Sequence, residues 1–185
     1  MINKFKNDLM MLGDSELINK YYLSGSAFAF DDNVHYKLRQ SIADHFKVDY
    51  PHVFIVGSAK LGFSIKPKRR FKPFYDKSDI DIVVMSSSLF EKIWGEVFLF
   101  EKNGGYWPKM KEFKNYHFQG WIRPDKLPLQ ASFFLTREWW NFFEMISGSG
   151  EYGPYKIRGG LYHSRLFFDS YQKKCFDQCR SEASE

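Results

Sequence analysis

Two aspartates one residue apart, Asp79 and Asp81, open the apolar run Ile80 to Val84 and are the side chains best placed for chemistry. A strand repeats every two residues, so both acids point to one face, roughly 7 Å apart at the Cα level. Ile80, Ile82 and Val84 then point the other way, toward a core. Paired carboxylates repel unless they are solvated or neutralised, and a divalent cation neutralises them well. Upstream, the apolar run Val53 to Val56 ends in Gly57-Ser58. Glycine permits close backbone approach, and serine brings a hydroxyl and an N–H. A turn of that kind, leading into a helix, suits phosphate. Together the two segments read as a phosphate cradle beside a metal-binding carboxylate pair. The plainer alternative is a solvated strand end after an ordinary turn.

Gly57-Ser58, the later Gly62 and Ser78-Asp79-Ile80-Asp81 resemble the signature of the nucleotidyltransferase superfamily, the polymerase-beta-like enzymes. The pattern looks most like the branch of cyclic-dinucleotide and oligoadenylate synthases, and it spans residues 53–86. The resemblance implies an α+β fold: a nucleotidyltransferase-like palm, with a small mixed sheet packed by helices on one face. It implies transfer of a nucleotidyl group from an NTP to an acceptor, with Mg²⁺ or Mn²⁺ on Asp79 and Asp81. Gly57 and Ser58 would hold the β and γ phosphates, with Lys60 assisting.

Such enzymes use a third carboxylate on a later strand to complete a second metal site. The strand read at 155–162 carries no acid, so Asp125 is the first candidate, ahead of Asp169, Glu151 and Glu144. The chain is short for a cyclic-dinucleotide synthase. A compact enzyme that modifies a partner protein or RNA fits the length better, as in toxin–antitoxin and phage-defence modules, and a nucleotide stays open as acceptor. Two other readings compete. One is a catalytically inactive nucleotide- or RNA-binding module, such as an antitoxin, on the same fold. The other is a metal-dependent nuclease, for which Glu112-Phe113-Lys114 supplies the Glu-x-Lys tripeptide.

The elements that must position these groups are legible in outline. Residues 66–77 form a basic loop in which Lys66, Lys68, Arg69, Arg70 and Lys72 lie within seven residues. It is tied to the acid pair, so Lys68, Arg69 and Arg70 are candidate contacts to phosphate or nucleic acid. A solvated charge run is the ordinary alternative. Periodicity predicts helices at 2–11, 15–23, 34–47, 89–101, 131–146 and 164–180, and strands at 53–57, 79–85, 117–123 and 155–162. Residues 106–116 have no clear pattern. His35 and His45 are expected at the surface or rim of their helix, and the helix at 131–146 is apolar nearly all round.

At 185 residues one domain is the default. It divides into N-terminal helices at 1–50, a catalytic core at 51–125, and C-terminal helices and a strand at 126–185. An apolar content of 44% excludes a chain disordered throughout, and a net charge of +5 favours an anionic partner. No apolar run approaches membrane-spanning length, so neither a membrane partner nor a signal sequence is expected, and the cytoplasm is the expected location. Cys175 and Cys179 fit a reducing compartment, as core or exposed thiols.

Overall fold

The computed structural model describes residues 1–129 and 133–183. Four strands form a mixed sheet: β1 (Val53–Val56), β2 (Ile80–Met85), β3 (Trp121–Ile122) and β4 (Ile157–Tyr162), in the spatial order β1-β2-β4-β3. β2 is central, antiparallel to β1 and parallel to β4, and β3 closes the far edge antiparallel to β4. Among the described residues eight α-helices surround the sheet: α1 (Ile2–Met11), α2 (Asp14–Ile18), α3 (Asp32–Phe46), α4 (Gly57–Leu61), α5 (Ser87–Lys102), α6 (Met110–Phe118), α7 (Phe134–Gly148) and α8 (Arg165–Ala183).

The period-two alternation of the strands divides the interior into two cores. On one face, Val53, Ile55, Ile80, Ile82, Val84, Ile157 and Leu161 meet α3, α5, α6 and α7. On the other, Val56, Val83, Met85 and Tyr162 meet α1, α2 and α8. Helices therefore cover both faces, not one as the family resemblance implied. The physical reason lies in β2, whose alternate residues Val83 and Met85 are as buried as Ile82 and Val84. A central strand apolar on both sides needs a layer on each.

Side-chain caps begin two of the helices. Asp31 caps α3 by accepting the Val34 N–H at 2.8 Å, and Ser86 caps α5 by accepting that of Leu89 at 3.2 Å. The strand expected over 117–123 shrinks to two residues, because α6 runs through Phe118 and takes up the patternless stretch before it. Residues 131 and 132, the expected start of a helix, lie outside the described residues. One face of the rest of that helix is core, with Trp139, Phe142, Phe143 and Ile146 buried, while Arg137, Asn141, Glu144 and Met145 are exposed. Gly159 allows this, since an added Cβ would lie 2.2 Å from the Phe143 ring. His35, expected at the surface, is buried and accepts the Ala27 N–H on Nδ1 at 2.7 Å. His45 is half-buried and stacks on Phe142 at 3.9 Å.

Candidate active site

Asp81 enters β2 opposite Val56, the last residue of β1, and Asp79 lies just before the strand. Alternation sends Asp81 to the same face as Val83 and Met85, and Asp79 falls in the same phase. That face is covered by α8 farther along, but at this end it opens, and the Asp79 and Asp81 side chains are 40% and 35% exposed. Gly57 has φ of +65°, and a Cβ built there would meet Asp81 Oδ2 at 2.8 Å. The bend and the acid are thus in direct contact, and only glycine combines that backbone with that proximity. Ser58 follows, half-exposed, in the first turn of α4.

Each acid carries a basic partner. Lys66 Nζ lies 3.3 Å from Asp81 Oδ2, and Arg158 Nε lies 3.4 Å from Asp79 Oδ2. Arg158 stands on β4 directly across from Asp81 in the parallel register. Neither cation was singled out as a site residue from the sequence. Lys66 belongs to the basic loop, and its proximity in sequence hinted at the site. Arg158 is visible only once β4 is known to pair with β2.

Two side chains expected at the site point elsewhere. Lys60 does not reach the cradle. It is buried, and its ammonium donates to the carbonyls of Ser24, at 2.7 Å, Gly25, and Ser26, at 3.1 Å. Burial, with the charge of Arg39, lowers its pKa to about 8. Asp125 does not join the acid pair. Its carboxylate is held by Arg123, at 3.1 Å, and Lys126, at 3.3 Å. Burial pushes its pKa up, but those two cations outweigh it and leave the group below its ordinary value. Among the described residues no three His, Cys, Asp or Glu side chains gather closely enough to hold a metal ion.

The weaker acid candidates fare no better. Asp169 pairs with Arg165 at 2.5 Å, and Glu144 and Glu151 are exposed. Glu112 and Lys114 lie on α6, where residues two apart point to different sides, and Lys114 pairs with Glu101. In the basic loop, Arg70 Nη1 donates to the Gln178 carbonyl of α8 at 2.8 Å, so part of it braces the fold. Arg69 lies over the Tyr75 ring at 5.5 Å, and Lys68 is exposed with φ of +56°.

The donor set still suits one hard cation. Mg²⁺ commonly takes one or two protein carboxylates and completes its shell with water and substrate phosphates. Two half-exposed aspartates beside a glycine-serine bend match that demand. Among the described residues no further carboxylate gathers with the pair to hold a second ion. Comparison of the chain with protein-family models, curated proteins and solved structures finds no match. Among the described residues no helix is long and apolar enough to cross a membrane.

Proposed function

We propose that this chain is a metal-dependent nucleotidyltransferase, moving a nucleotidyl group from an NTP to a protein, RNA or nucleotide acceptor. The observation that carries the reading is the contact between Gly57 and Asp81, which sets the glycine-serine bend against a half-exposed acid pair. Asp79 and Asp81 would hold Mg²⁺ or Mn²⁺, which when bound draws charge from the phosphoryl oxygens. Gly57, whose missing side chain makes room for the Asp81 carboxylate, would turn its backbone to the phosphates, and Ser58 would offer its hydroxyl. Lys68 and Arg69, exposed on the neighbouring loop, would meet the acceptor or the outer phosphates. Positioning and charge stabilisation are the protein's share of such chemistry.

A second reading, a nucleotide-binding module without turnover, draws support from Arg158. It stands beside Asp81 where a third acid would be expected. One experiment separates the two. The chain is incubated with each labelled NTP and Mg²⁺ or Mn²⁺, with and without cellular RNA and protein, beside Asp79→Ala/Asp81→Ala. Label transfer that disappears in the double variant supports the enzyme. Binding without transfer supports the module, and shortening of RNA or DNA refutes both in favour of a nuclease.

A further inference from the structure

We infer that Lys66 and Arg158 are exchangeable counter-ions. They neutralise Asp81 and Asp79 as the structure stands, and they pass to the phosphates of a nucleotide when a single divalent cation takes the acids. The inference rests on the nucleotide reading above and adds to it the number of cations and the two residues that replace the missing one.

The charge arrangement is the starting point. Two acids and two cations form two ion pairs at neighbouring positions of the sheet, with separations of 3.3 and 3.4 Å. The patch is neutral by itself, unlike a three-carboxylate site that must recruit metal to relieve its own repulsion. Both cations sit on long side chains, 72% exposed for Lys66 and 53% for Arg158. Ion pairs that exposed hold weakly, so exchange is cheap. Arg158 also occupies the register position across from Asp81, where its charge opposes a second metal. A guanidinium there is suited to bidentate contact with phosphate.

A coupling follows. A divalent ion arriving alone must displace two cations from the acids. A polyphosphate arriving alone must pull the same two cations away from them. Arriving together, each removes the other's cost, so metal and nucleotide strengthen one another's binding reciprocally.

The signature is a pair of opposite effects from one substitution. Mn²⁺ binding is measured by calorimetry without nucleotide, and a non-hydrolysable NTP is titrated at saturating Mg²⁺, for the wild type, Arg158→Ala and Lys66→Ala. Thermal melts verify that the variants fold. Each variant is expected to bind Mn²⁺ alone roughly two- to fivefold more tightly, the worth of an exposed ion pair. Each is expected to bind the nucleotide about tenfold more weakly, the loss of one charge-assisted contact. Spin counting should give one Mn²⁺ per wild-type chain with nucleotide present. Metal and nucleotide affinities that fall together, affinities that do not move, or two Mn²⁺ per chain overturn the exchange while leaving the nucleotide reading intact. A wild-type chain that binds Mn²⁺ but no NTP overturns the nucleotide reading, and the exchange with it.

Discussion

Gly57 is where backbone and chemistry constrain the same residue. Alanine there would have to hold a left-handed backbone and displace the Asp81 carboxylate, 2.8 Å from its Cβ. Gly57→Ala is expected to lower stability by about 1–2 kcal/mol and to weaken NTP binding, read by urea denaturation and calorimetry. Lys60 makes the opposite case. Its ammonium ties down three carbonyls of residues 24–26, so Lys60→Met should cost about 1–3 kcal/mol of stability and leave nucleotide affinity unchanged. If affinity falls while stability holds, Lys60 touches phosphate after all. The contrast shows what could be read at this scale. Asp79, Asp81 and Gly57 were legible because strand alternation and one glycine fix where they point. Lys60, one helical turn along, was not, because its destination is a loop 34 to 36 residues earlier in the chain.

At the scale of elements, that same loop is fastened to α3 as well as α4, and the α3 tie depends on pH. His35 Nδ1 accepts the Ala27 N–H at 2.7 Å, and the residue is 6% exposed. Burial, with the charges of Arg39 and Lys60, lowers its pKa from 6.5 to about 4. A group depressed on folding contributes stability above its unfolded value and loses it as pH falls through the folded one. Between pH 6.5 and about 4 the loss should reach roughly 3 kcal/mol. Urea midpoints across that range should fall for the wild type and flatten for His35→Gln. An equal slope in both would remove His35 as the cause. Periodicity found α3 but placed this histidine outside, since a loop folding back over the helix leaves no mark in the helix's own pattern. β3 and α6 were misjudged for a related reason. Two strand residues are held by pairing to β4, not by local preference, and α6 shows its register mainly through Phe113.

At the scale of the whole molecule, the sheet separates two cores that should matter differently to the site. The face carrying Asp79 and Asp81 continues into the core under α8, where Phe168 and Phe176 are fully buried. α8 also anchors the segment that carries Lys66. Gln178 accepts from Arg70 at 2.8 Å, and Cys179 Sγ meets the Ile65 carbonyl at 3.7 Å. The other core, around Phe142 of α7, lies behind the strands and meets the loop farther from Lys66, through Phe74. The family pattern implied one layer of helices and so gave no hint of this division, which β2 imposes by burying both its faces. Phe176→Ala and Phe142→Ala should each cost about 3–5 kcal/mol, as phenylalanine truncations in a packed interior do. Only Phe176→Ala should also weaken nucleotide binding, measured at a temperature where both variants remain folded. Equal affinities in the two would mean that α8 closes the second core without steadying the basic loop. The acid pair and its bend would then owe their geometry to β1, β2 and α4 alone.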